Sequence, residues 1–255
     1  MRKIKAIAFN TFKEGSRDRT LLSVSIAGII ILISSIVFIP ISVGQGIRVV
    51  LNFGLSVIEI LLLFQIIFVG TRIIYDELEK KTIYTIFSKP VKPLEVFAGK
   101  FLGLGLIIFI IETILFIFFF LFIRLIFGFF FFRIFHWYIF LLFELLLIES
   151  VVLFLSTFMS PITSGIISFL IYFIANTSHY IKEFSLKVHN LFFKIFANIV
   201  YYLFPNFSFT NIKNNIVYII PFERELYLFL LSYPILYIIL MLYLSSILFE
   251  RKEFL

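Results

Sequence analysis

Four carboxylates stand inside long apolar runs: Glu59, Glu112, Glu144 and Glu149. A charged side chain at mid-bilayer costs roughly 2.5–3.5 kcal/mol on insertion scales, so each glutamate needs some compensation. Two chemistries supply it. The first is a polar translocation path or a proton-coupled site. The second is structural, a protonated or hydrogen-bonded glutamate holding helices together. Glu144 and Glu149 are five residues apart, about 140° around a helix. They do not converge on one ligand from one helix face, which argues against a compact dyad and favours the structural role.

Other chemistries have few candidates. The three histidines are His136, His179 and His189. His136 adjoins Trp137 and Tyr138, which suits an interfacial aromatic belt. His179 and His189 flank or ride a polar, amphipathic stretch and read as solvated. None is placed among the glutamates, so no metal site is assigned. The chain has no Cys, which excludes disulfides, thiolate metal sites and Cys nucleophiles. Gly99-Lys100 is followed by Phe101 and lacks the hydroxyl that a P-loop places on magnesium. No H-E-x-x-H, G-x-S-x-G or EF-hand loop occurs. The chain is therefore not read as an enzyme and binds no cofactor directly.

The elements that must position these groups are membrane helices. Of 255 residues, 62% are hydrophobic and only 15% charged, whereas a soluble domain is nearer half apolar and a quarter charged. Mean hydropathy is +1.11. Disorder and a globular cytoplasmic enzyme are both excluded. The fold class is all-α integral membrane. Six runs approach or exceed the roughly 20 apolar residues of a crossing helix: 21–42, 55–75, 101–123, 137–157, 161–177 and 225–248. The abundance of Phe (38) against a single Trp has no functional reading, and the Phe tracts at 117–120 and 129–132 suit lipid contact. No internal repeat is found.

Charge sets the expected orientation. The net charge is +7, but the cations flank apolar runs, so an anionic lipid leaflet explains them better than nucleic acid. Residues 1–20, the 71–100 loop and the tail together carry 14 Lys and Arg, against eight on the other face. Five of those eight lie in one long loop, 178–224, which translocates with less regard to charge. Both termini and the 71–100 loop are thus expected in the cytoplasm. The first apolar run is too long for a signal-peptide h-region and reads as a retained span; no lipidation signal is evident.

Two segments read as interfacial. In 1–14, within an entry region 1–20, Ile4, Ile7, Ala8 and Phe12 share a face opposite Lys3, Lys5 and Lys13, as in a helix lying on a leaflet. In 180–199, Ile181, Phe184, Val188, Leu191, Phe192, Ile195 and Ile199 form one stripe. That predicts an outer amphipathic helix between spans five and six.

The loop at 76–100 is the most patterned polar stretch. It opens with Asp76-Glu77-Leu78-Glu79-Lys80-Lys81-Thr82. Ile83, Ile86 and Phe87 then present an apolar edge at helical spacing. Ser88-Lys89-Pro90 stops that helix, because a residue before Pro avoids the α region. Pro93 starts the next helix, which runs through Gly99-Lys100 into span three. The pattern predicts a short helix outside the membrane, rigidly joined to two spans.

At these residues the chain resembles the ABC-2-type permeases, the membrane subunits of ATP-binding-cassette exporters. That family shows an acidic-basic run, a Thr, an Ile/Leu-rich turn, Ser-x-Pro-Val, and Gly-Lys opening span three. The matching residues are Glu77 to Thr82, Ile83 to Phe87, Ser88-Lys89-Pro90-Val91 and Gly99-Lys100. Lys81 stands where relatives often have Gly. The stretch Ala8 to Arg19, the Pro205-Asn206-Phe207-Ser208 loop and the Phe249 to Phe254 tail are similar too. The resemblance covers essentially the whole chain, as one domain over 1–255.

The resemblance implies a permease subunit in the plasma membrane, paired with a second permease as a homo- or heterodimer. A cytoplasmic ATPase subunit, carrying ATP and magnesium, would grip the loop through Glu77, Glu79, Lys80, Thr82, Ile83, Ile86, Phe87, Ser88 and Pro90 and drive export. Three alternatives remain open: an ion-driven secondary transporter using the buried glutamates, an intramembrane enzyme, and a mechanical scaffold subunit. Against the first stands the lack of inverted repeats, and against the second the scattered histidines.

Overall fold

A computed structural model describes residues 2–79, 91–188, 190–207, 210–220 and 226–253. The described helices are α1 (Arg2–Gly15), α2 (Arg19–Ser34), α3 (Gly46–Glu79), α4 (Pro93–Phe127), α5 (Ile134–Ser156), α6 (Pro161–Lys187), α7 (Leu191–Leu203), α8 (Lys213–Val217) and α9 (Leu226–Glu253). No strand occurs among the described residues. Six segments are long and apolar enough to cross a bilayer: Thr20–Phe38, Gly46–Tyr75, Pro93–Phe127, Ile134–Ser156, Pro161–Lys187 and Leu231–Glu250. Each overlaps one predicted run.

Local chemistry sets the helix ends. Asp18 caps α2 by accepting from the Thr20 N–H at 2.9 Å. Two 3-10 turns, Ser35–Phe38 and Pro40–Ser42, then lead to Val43 and Gly44, both at positive φ. Pro93 opens α4, and the Glu95 carboxylate accepts from the Lys92 N–H at 3.1 Å. Gly128 closes α4 at φ 80°, a conformation that glycine adopts without a Cβ penalty. Its carbonyl accepts from the Arg124 guanidinium.

Helix α5 forms the centre. It packs against α3, α4, α6 and α9, and Leu145, Ile148 and Val152 are fully buried. The outer helices turn apolar side chains outward, including Ile26 and Ile30 of α2, Ile166 and Phe173 of α6, and Leu236 and Ile239 of α9. Exposed aliphatic faces on long apolar helices are what lipid tails solvate.

Helices α3 and α4 have 34 and 35 residues. At 1.5 Å per residue each is about 50 Å long, against a hydrocarbon core of about 30 Å. Both therefore project beyond the core. At the end that carries α1 they are locked together. The Lys100 side chain is buried, and its amine donates to the Ile73 carbonyl at 3.3 Å. The Phe97 ring meets Phe249 of α9 edge-on at 5.8 Å.

Helix α1 forms where an amphipathic helix is expected, but its apolar face is laid along α4. A Cβ on Gly99 would stand 2.7 Å from the Ile7 Cβ, and one on Gly103 would stand 2.6 Å from the Ala8 carbonyl oxygen. The missing Cβ atoms let the two backbones approach. The predicted 180–199 helix is divided instead. Helix α6 continues without a break from the fifth span to Lys187, and α7 starts afresh at Leu191. Asn190 accounts for the division, because its side chain accepts from the N–H groups of Phe192 and Phe193, as an N-cap does.

Candidate functional site: a polar centre among apolar helices

Three of the buried glutamates come from different helices and lie at similar depth. Measured from the helix ends far from α1, Glu59 on α3, Glu144 on α5 and Glu112 on α4 stand about 20, 15 and 22 Å along their axes. All three are buried.

Glu59 is fully engaged. The Tyr172 hydroxyl of α6 donates to one carboxylate oxygen. The Lys213 amine, at the start of α8, lies 3.3 Å from the other and 3.1 Å from Ser56 Oγ. Glu144 meets the Thr210 hydroxyl, while its Oε1 has no hydrogen-bond partner among the described residues. Glu59 and Lys213 are its charged neighbours. Glu112 has Glu144 as its nearby charge, and neither of its oxygens is hydrogen-bonded among the described residues. The three thus make a line from a neutralised pair into a drier interior.

Glu149 lies elsewhere. It faces the Gly105 backbone of α4, and among the described residues neither oxygen makes a well-formed hydrogen bond. With Gln65 of α3 it borders a void of only about 10 Å³. The structure thus separates Glu144 from Glu149, as their five-residue spacing requires.

The polar centre opens into a cavity of about 580 Å³ on the side away from α1. Asn52, Asn176, His179, Tyr201, Asn211 and Lys213 are among its walls. Asn211 donates to the Asn176 side-chain carbonyl at 2.9 Å, and Asn176 donates to the Tyr172 carbonyl at 3.2 Å. The Phe207 ring packs on Tyr172 at 5.7 Å, and the Tyr233 hydroxyl of α9 accepts from the Asn206 N–H at 3.0 Å. His179 pairs with Glu183 at 3.2 Å. Because Glu59 neutralises Lys213, the wall offers mainly amides, hydroxyls and ring faces. Such a wall suits water and uncharged hydrogen-bonding solutes better than a bare ion. Among the described residues no group of three or more His, Asp or Glu could hold a metal.

Tyr172, Lys213, Thr210 and the Asn176–Asn211 pair are additions that sequence reasoning missed. The only sequence signal was the amide-rich run Asn211-Ile212-Lys213-Asn214-Asn215, unusual beside apolar spans. Of the predicted coupling residues, Glu79 ends α3 and is exposed. Glu77 lies in the last turns of α3, but its side chain lies outside the description. Lys80, Thr82, Ile83, Ile86, Phe87, Ser88 and Pro90 lie outside the described residues, as do His189 and Ser208. His136 sits near the start of α5 with Nδ1 3.3 Å from the Arg133 carbonyl.

The fold and its apolar helices define a multi-pass helical membrane protein. The chain matches no family model and no curated protein.

Proposed function

We propose that this chain is the permease subunit of an ATP-binding-cassette transporter of the ABC-2 type, forming a membrane pathway for export and receiving its energy from a separate ATPase. The observation that supports the reading most is the construction beneath the 80–92 connection. That connection joins α3 to α4, two unbroken helices of about 50 Å that are tied at its base by Lys100 and Ile73 and clamped by α1. A displacement applied there would reach both spans, since packed helices move as rigid bodies. In this reading a second permease subunit completes the pathway. The protein sits in the plasma membrane with both termini in the cytoplasm, and ATP and magnesium stay on the ATPase.

The test is affinity purification of the tagged chain from its native membrane, with ATPase activity measured on the eluate. An ATPase should co-purify. Phe87→Ala and Ile83→Asp should release or uncouple it while membrane insertion is unchanged, because buried apolar anchors outweigh rim charges. Lys80→Ala should do much less. An eluate without ATPase, or variants that behave as wild type, would remove the reading's mechanical basis.

A second reading is favoured by a different observation, the line of Glu59, Glu144 and Glu112 beside a polar cavity. It is transport driven by an ion gradient. A protonophore that abolishes flux while ATP is maintained would select it over the first. A scaffold subunit would show flux under neither condition.

A further inference from the structure

A groove of about 410 Å³ runs down the outer face between α3 and α6. Its walls are Phe64 and Phe68 on one side and Ile166 and Phe169 on the other, with Gly165 on its floor. Gly165 brings the helices close: a Cβ there would stand 3.1 Å from Ile67 Cγ2. Phe64 and Phe169 stack at 6.0 Å and close the deep end. The other end is different in kind. Arg72 borders it, the single charged residue of the lining. Arg72 is exposed, and its guanidinium has no ion pair or hydrogen bond among the described residues. From Arg72 to Phe64 the groove runs eight residue steps along α3, or about 12 Å of axis.

An apolar slot of that length with an exposed guanidinium at its mouth has the layout of a lipid: tail inward, phosphate outward. Both helices belong to membrane-spanning segments, so the medium outside the groove is acyl chain. Arg side chains near a helix end reach toward the headgroup level and bind phosphate through paired N–H donors. A zwitterionic headgroup brings its own cation to the phosphate, whereas an anionic headgroup leaves the charge for Arg72.

We infer that the α3–α6 groove is a binding site for an anionic phospholipid, one acyl chain lying between Phe64 and Ile166 and the phosphate meeting Arg72. This site is independent of the proposed transport function and of which leaflet faces the cytoplasm.

Native mass spectrometry of the full chain in detergent tests it, with phosphatidylglycerol and phosphatidylcholine of matched chains as probes. The wild type should retain one phosphatidylglycerol about fivefold better than phosphatidylcholine, the preference expected of one cation at the headgroup level. Arg72→Gln should lose that preference, and Arg72→Lys should keep most of it. Ile166→Trp should fill the slot and reduce retention of both lipids. Ile239→Trp, on the outward face of α9, should change nothing and controls for general surface effects. Equal retention of the two lipids by the wild type would overturn the inference. So would an Arg72→Gln variant that keeps its preference, or an Ile166→Trp variant that retains lipid normally. Competition by glycerol phosphate at equal concentration would move the site to the guanidinium alone, and lipid-independent dimers disrupted by Ile166→Trp would make the groove an interface between copies; either result refutes it.

Discussion

Replacing Lys213 with Met leaves the Glu59 carboxylate in place without its cation. The two groups lie 3.3 Å apart, and their side chains are only 20% and 7% exposed. At an effective dielectric of about 20, charges at that distance attract by about 5 kcal/mol. Removing one partner of a buried pair typically costs about 3–5 kcal/mol, because the other charge stays behind. The partial exposure of Lys213 places the expected loss near the lower end, about 3 kcal/mol. Glu59→Gln should relieve that loss: the amide still accepts from the Tyr172 hydroxyl and needs no cation. The Lys213→Met/Glu59→Gln double variant should therefore lie within about 1 kcal/mol of wild type; because Glu59→Gln alone also leaves a cation unpaired, the coupling energy is at least about 2 kcal/mol. Equilibrium unfolding in mixed detergent micelles, run on all four proteins of the cycle, measures it. A coupling of about 0.6 kcal/mol or less is what an ordinary polar contact between membrane helices gives. That result would refute the assignment of Glu59 and Lys213 as the neutralised, cavity-side end of the polar line.

Three further outcomes follow from other contacts. Gly103→Val should strip α1 from α4 at a cost of about 1–3 kcal/mol, since the obstruction is the Ala8 backbone carbonyl; faster tryptic cleavage after Lys13 and Arg17 would report it. Glu149→Met should leave stability unchanged or raise it by about 1 kcal/mol, because it removes two buried oxygens that lack good hydrogen bonds; a loss of more than 1 kcal/mol in the same unfolding assay would contradict this. Asn190→Ala should cost about 1 kcal/mol and speed hydrogen exchange at Phe192 and Phe193, whose N–H groups the Asn190 side chain accepts, with α5 unaffected.

The six spans were readable because the bilayer imposes a length on an apolar run, and a run length is a one-dimensional quantity. The helix breaks were less readable. The stripe from Ile181 to Ile199 keeps its period through Val188–Asn190, so periodicity alone does not show that Asn190 turns from a polar-face residue into a cap. The polar centre was half readable. Each glutamate was conspicuous because Leu would have been cheaper there, and the angle between Glu144 and Glu149 separated them correctly. Their actual partners were hidden. Tyr172 and Lys213 are 113 and 154 residues from Glu59, and no spacing rule within one helix reports which faces of α3, α5 and α6 meet. Lys213 also looked like an ordinary loop cation, since its own run is polar.

The seat of α1 on α4 fixes an order of events while the chain is being made. The Ala8–Gly103 contact joins positions about 95 residues apart in the sequence. Synthesis at about 5–20 residues per second leaves roughly 5–20 s between the appearance of the two. Throughout that interval α1 has Ile4, Ile7 and Phe12 on one face and no groove to receive them. A leaflet carrying anionic headgroups would hold such a helix through its lysines and its apolar face together. The amphipathic pattern would thus serve twice over: first as temporary moorage on the lipid surface, then as the packing edge that lifts off when the third span arrives.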